Sequence, residues 1–108
     1  MTEQELIEKG LIPKDVDLCY LYDNGFEYKV DGKYTLKLLD GTILCEGVDD
    51  CWLYENGFKY SIDSKYTLKL LDGTILCKDV DDCWLYDKGF RYNVNGKSIF
   101  KAFWRNGY

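Results

Sequence analysis

The chain has no histidine, one proline and one methionine in 108 residues. Without histidine it lacks the side chain that most acid–base and nucleophile-activating arrangements use near neutral pH, and cysteine loses its usual co-ligand for zinc. No apolar run approaches the roughly 18 residues needed to span a bilayer. The opening MTEQELIEKG is acidic where a secretory leader is basic and then apolar. Positive charge is scarce as well: 14 Lys and Arg against 19 Asp and Glu leave a formal charge of -5. That balance disfavours direct contact with nucleic acid or an anionic membrane, because both are negative. The composition predicts a single soluble cytoplasmic domain whose partner is a protein with a basic surface.

What the chain does have is a repeat of 32 residues. VDLCYLYDNGFEYKVDGKYTLKLLDGTILCEG (16–47) and VDDCWLYENGFKYSIDSKYTLKLLDGTILCKD (48–79) agree at 23 of 32 positions; a truncated third copy, 80–108, agrees with the second at 11 of its first 18. Fixed periods of this length mark stacked supersecondary units that bury their apolar faces on one another and present surfaces for binding. The five cysteines follow the repeat, with Cys19, Cys51 and Cys83 equivalent and Cys45 equivalent to Cys77. They are expected to be reduced, buried and small. The five residues separating Cys45 from Cys51 exceed the usual zinc-ligand spacing of about two to four, so neither metal nor cofactor is expected.

Turn signals punctuate each repeat: Asn24-Gly25, Asp31-Gly32 and Asp40-Gly41, then Asn56-Gly57, Asp63-Ser64 and Asp72-Gly73. Such pairs supply the positive φ angles of two-residue hairpin loops, and the runs between them are rich in Tyr, Leu, Ile, Val and Thr. Alternation puts Phe26, Tyr28 and Val30 on one side and Glu27 and Lys29 on the other, as in a half-buried antiparallel sheet. The predicted fold is all-β: three tandem antiparallel hairpin repeats, the last truncated, holding about eleven strands by this periodicity. A twisted sheet, a small barrel and a propeller-like row all satisfy the pattern. Residues 1–14 stand outside the β-repeat domain (15–108), and Thr2 with Glu5 forms a capping-box pattern that opens a short N-terminal helix, with Gly10 placed to end it.

Two constellations stand out. In CWLY, Asp50, Trp52 and Tyr54 fall on one side and Cys51 and Leu53 on the other, so both sides want burial. Stacking the repeats should align Tyr20, Trp52 and Trp84 in one column and Tyr22, Tyr54 and Tyr86 in another, either as inter-repeat core or as a ladder for a ligand. Acidic residues gather between repeats, above all Asp49 with Asp50 and Asp81 with Asp82. Asp49, Asp50, Asp81, Asp82, Trp52, Trp84, Tyr54 and Tyr86 are therefore the expected partner-binding residues. No catalytic residue is expected, since no nucleophile can be paired with a base and the carboxylates recur at equivalent turns.

The aspartate pair Asp49-Asp50, the glycines Gly57 and Gly73, and Lys65-Tyr66-Thr67 in the place of Lys-Trp-Gly resemble the WG-type bacterial repeats over roughly residues 15 to 105. The resemblance implies an all-β repeat of interaction-type function. Charge and size suggest a small inhibitor of the kind carried by phages and mobile elements, its carboxylates occupying the basic groove of a nucleic-acid-binding defence protein. The alternatives are a nucleotide sponge, with Lys37, Lys69 and Lys101 beside the aromatic columns, and an intracellular scaffold. The third copy lacks a fourth strand, so its edge strand, with Phe100, Phe103 and Trp104, is expected to receive either the N-terminal helix or a second protomer in a homodimer.

Overall fold

A computed structural model describes residues 2–103; Trp104, which the sequence joins to the terminal strand, and the residues after it lie outside the described residues. Helix α1 (Glu3–Glu8) is followed by three antiparallel sheets. The first holds β1 (Leu18–Leu21), β2 (Gly25–Val30), β3 (Lys33–Leu38) and β4 (Ile43–Val48). The second holds β5 (Asp50–Leu53), β6 (Gly57–Ile62), β7 (Lys65–Leu70) and β8 (Ile75–Val80); the third holds β9 (Asp82–Tyr86), β10 (Gly89–Val94) and β11 (Lys97–Ala102). Strands pair in chain order within each sheet, and the ladders do not run from one sheet to the next. The sheets instead stack face to face in a row of 47 × 32 × 17 Å.

Burial explains the stacking. Leu36 and Val48 of the first sheet pack on Cys51, Leu53 and Phe58 of the second. One repeat later, Leu68 and Val80 pack on Cys83, Leu85 and Phe90. A middle sheet is thus covered on both faces, which corrects the expectation of a half-buried sheet. In β2, Phe26 faces the N-terminal segment while Glu27, on the opposite face, is also buried at 8 % exposure. A bulge at Gly47 (φ 70) and again at Asp79 (φ 59) carries each fourth strand over into the junction, so Val48 and Val80 end as core residues.

The helix takes the place of a preceding repeat. Leu6 and Ile12 close over Phe26, and the capping box forms, Glu5 N–H donating to Thr2 Oγ1 at 3.2 Å and Thr2 N–H to Glu5 Oε1 at 3.0 Å. Gly10 (φ 74) ends the helix in a Schellman motif, with Leu11 N–H donating to the Leu6 carbonyl and Gly10 N–H to that of Ile7. The segment therefore covers the first sheet and not the edge strand β11, which removes one of the two expected covers for that edge.

The turns split into two kinds. Asp31-Gly32, Asp63-Ser64 and Asn95-Gly96 have positive φ at both residues, as two-residue hairpin loops require. At Asp40-Gly41 only the glycine does, in a three-residue loop closed by Gly41 N–H to the Leu38 carbonyl. Gly25 and Gly57 are absent from the positive-φ residues, and the turn chemistry expected of Asn24-Gly25 and Asn56-Gly57 is not their role. A Cβ on Gly25 would lie 2.4 Å from the Lys37 carbonyl oxygen and 2.6 Å from Leu53 Cδ2 of the next sheet, so glycine there is a notch for the next repeat's leucine. In the third sheet the ring of Phe100, the counterpart of the wholly buried Leu36 and Leu68, stands 2.9 Å from that position on Gly89. No helix among the described residues is long and apolar enough to cross a membrane.

Candidate functional site

The two aspartates of each pair do different things. Asp49 accepts from the Lys33 ammonium and, at 2.8 Å, from the backbone N–H of Asp63 in the β6–β7 turn. Asp81 repeats this with Lys65 at 2.6 Å and Asn95 N–H at 3.1 Å. These bonds hold both carboxyls below the usual aspartate range. The first aspartates therefore tie one repeat's third strand to the next repeat's hairpin. The second aspartates turn back on their own strand: Asp50 Oδ1 accepts from Cys51 N–H at 2.9 Å, and Asp82 Oδ1 from Cys83 N–H at 2.8 Å.

Asp50 and the aromatic residues line two equivalent clefts at the junctions. The first, of about 270 Å³, is lined by Leu18, Cys19, Tyr20, Tyr22, Glu27, Tyr34, Asp50, Cys51 and Trp52. The second, of about 410 Å³, has Tyr54, Lys59, Tyr66 and Trp84 in the corresponding places, with Asp50, Cys51 and Trp52 on its other side. Trp52 borders both clefts and is 46 % exposed, so at Trp52 this face of CWLY is open where the sequence suggested burial, while Tyr54 is half-buried; Cys51 and Leu53 are core.

The first column is assembled at one end, with Tyr20 and Trp52 ring centroids 6.1 Å apart and Tyr22 edge-on to Trp52 at 5.4 Å. Trp84 lines the second cleft together with Trp52. Tyr54 packs into the second junction, and Tyr86 lies open beside Phe100, with centroids 6.2 Å apart. Lys37 donates to the Leu11 carbonyl at 2.9 Å and lies over Tyr28, Lys69 lies over Tyr60, and Lys101 is in β11; none of the three lines either cleft.

The residue that distinguishes the clefts lies at their base, on the side that alternation sets opposite Phe26 and its counterpart Phe58. Lys59, its side chain 14 % exposed, donates to Asp82 Oδ1 at 3.0 Å and to the Cys83 carbonyl at 2.8 Å, and stands 5.0 Å from the Tyr66 ring centroid and 5.5 Å from that of Trp84. Its counterpart in the first cleft is Glu27, which accepts from the Tyr22 hydroxyl. Burial pushes the Glu27 carboxyl above the usual range and drives the Tyr22 hydroxyl further up. Comparing copies position by position reveals the signal: Glu27, Lys59 and Arg91 share one place, and only the first is acidic where the other two are basic.

The thiols pair across the junctions. Cys51 is hydrogen-bonded to Cys45 and Cys83 to Cys77; this bonding and burial push Cys51 and Cys83 up, while Cys77 is brought down. Among the described residues no group of three or more cysteine or acidic side chains is placed to hold a metal ion. No protein-family model, curated protein or solved structure matches the chain.

Proposed function

We propose that the chain is a non-enzymatic binding module that engages a basic protein surface along the edge where the two clefts open. The observation that carries this reading is Trp52, half exposed between the clefts beside the open carboxylate of Asp50. Exposed aromatic rings with nearby charge supply contact area at low entropic cost, and the net charge of -5 steers basic partners. The kinship to WG-type repeats and action as a phage- or mobile-element-type inhibitor of a nucleic-acid-binding defence protein belong to the same proposal. So does a cytoplasmic setting, with which five free cysteines agree.

Binding to a purified basic nuclease should fall as ionic strength rises from low to physiological, and duplex DNA should compete for the nuclease. Asp50→Asn and Trp52→Ala should weaken it more than Asp49→Asn, whose carboxylate is held internally by Lys33 and the Asp63 N–H. Binding indifferent to both salt and DNA would sink the reading. Self-association through β11, where Phe100 is 51 % and Tyr86 44 % exposed, is part of the proposal; a mass that stays monomeric in light scattering over an about tenfold concentration range counts against it.

A further inference from the structure

The second junction shows what its cleft is built to hold. Lys59 places an ammonium among a carboxylate (Asp82), a backbone carbonyl (Cys83) and two aromatic rings (Tyr66, Trp84). Each of those four partners recurs one repeat earlier as Asp50, Cys51, Tyr34 and Trp52. Asp50 is held as Asp82 is, by the N–H of the following cysteine, at 2.9 Å against 2.8 Å. All four line the first cleft, and among the described residues no lysine or arginine does. Glu27 stands where Lys59 would, so the first cleft has the cage of the second with a further buried carboxyl in place of the cation.

We propose that the cleft between the first and second sheets is a receptor for an alkylammonium group, supplied by a lysine side chain of the protein partner. An entering ammonium meets Asp50 and Glu27 as counter-ions and the rings of Trp52 and Tyr34, the counterparts of Trp84 and Tyr66, in the lining, the combination that recognises amines in low dielectric. Lys29 lies 5.5 Å from the Tyr34 ring centroid, but it does not line the cleft and forms no ion pair with Glu27 or Asp50. Its volume of about 270 Å³ is below the roughly 300–1,000 Å³ of pockets for drug-sized ligands and suits a single side chain. Two carboxyls at one cavity leave an uncompensated charge that a bound cation removes, whereas Lys59 with Asp82 is already compensated.

This assignment of lysine rests on the reading of a basic protein partner; the amine site itself does not. The test follows the Trp52 indole resonance while titrating n-butylammonium, a capped Gly-Lys-Gly peptide and its Nε-acetylated form. Saturable shifts of Trp52 with the first two and none with the third are expected. Tighter binding of the peptide than of butylammonium supports a protein lysine as the source; the reverse order overturns that source in favour of a free amine. Asp50→Asn should weaken binding about tenfold, the loss of one charge-assisted contact. Glu27→Lys should fill the cage from within, as Lys59 does, and abolish binding while circular dichroism and thermal midpoint show an intact fold. If that variant does not fold, Glu27→Gln should weaken binding by about tenfold as well. An unmoved Trp52 resonance, or wild-type binding by a folded Glu27→Lys, overturns the inference. Salt-sensitive binding of a basic nuclease that persists in Glu27→Lys would overturn it too, while leaving the acidic-module reading in place.

Discussion

Lys59 Nζ and Asp82 Oδ1, which belong to neighbouring sheets, lie 3.0 Å apart at the base of the second cleft, with the lysine side chain almost withdrawn from solvent. A cation so placed contributes through the partners it satisfies, and its removal leaves Asp82 and the Cys83 carbonyl without it. Lys59→Ala should therefore destabilise the fold by about 2 kcal/mol, partly through the lost packing of its stem on Tyr66 and Trp84. Urea unfolding at neutral pH reads the change; an unaltered midpoint would show that the junction does not depend on this pair.

Gly57 should be intolerant for a non-local reason. An alanine Cβ there would meet the Lys69 carbonyl oxygen at 2.4 Å and Leu85 Cδ2 at 2.6 Å, and a backbone carbonyl cannot swing aside. Gly57→Ala should cost about 1–3 kcal/mol by overpacking. Gly73→Ala, with nothing within 4 Å but φ of 96°, should show backbone strain of about 1–2 kcal/mol and keep the inter-sheet contacts. Near-ultraviolet dichroism separates the two: only Gly57→Ala should disturb the aromatic signal of the second junction.

These two sites show where local sequence signals reach and where they stop. Asp31-Gly32, Thr2 with Glu5, and the alternating strands are read directly because each depends on neighbours within a few residues. Asn56-Gly57 reads as a turn because Asn-Gly is a local signal, while the steric partner of Gly57, Leu85, comes from the following copy. Asp49 was legible as half of an acidic pair, but its ties to Lys33 and Asp63 span 16 and 14 residues. Alternation sets Glu27 opposite Phe26 and assumes one buried face, whereas stacking sheets in a row buries both residues. Trp52 stays exposed because it lies on the side of β5 opposite Cys51 and Leu53, on the edge strand of its sheet.

Glu27 should leave a pH signature. Its folded-state carboxyl lies above the ordinary 4.5 because of burial, with Asp50 adding to the rise and the Tyr22 and Cys51 hydrogen bonds opposing it. Its contribution is thus fully present below the unfolded value and is lost as pH rises through the higher folded value. Asp49 and Asp81 run the other way: held below 3.8, they support stability above that value and lose it as pH falls through their lowered folded values. Subtracting unfolding curves of Glu27→Gln isolates the first effect, and the wild type should lose stability relative to the variant as pH rises from the ordinary carboxylate range through the raised folded value. A flat difference would mean that the Glu27 carboxyl titrates alike in both states.

The cysteine pairs predict an order of alkylation. Cys77 is brought down by the hydrogen bond with Cys83, whereas Cys83 is buried and pushed up. The thiolate is the reacting species, so Cys77 should be labelled well before Cys83 in the native protein, and Cys51 should lag with Cys83. Mass spectrometry of a timed iodoacetamide reaction gives the order. Labelling Cys83 as fast as Cys77 would contradict the packing of the second junction.

Phe100 should act as a cap on the third sheet. Over Gly25 and Gly57 the open notch is filled by Leu53 and Leu85 of the following sheet; over Gly89 it is the sheet's own Phe100 ring that approaches, at 2.9 Å from the site of a Cβ. The ring also meets Tyr86, so it bridges β9 and β11 across β10. Half-exposed, it yields only part of the roughly 1.5–3 kcal/mol of a fully buried phenylalanine, and Phe100→Ala should cost about 1 kcal/mol. The loss should be local. Amide exchange should quicken in β9, β10 and β11, where Gly89 pairs with both Tyr86 and Ala102, and stay unchanged in β2 and β3, two junctions away. Faster exchange spread evenly over all three sheets would show that the row unfolds as one unit and that Phe100 does not guard its end.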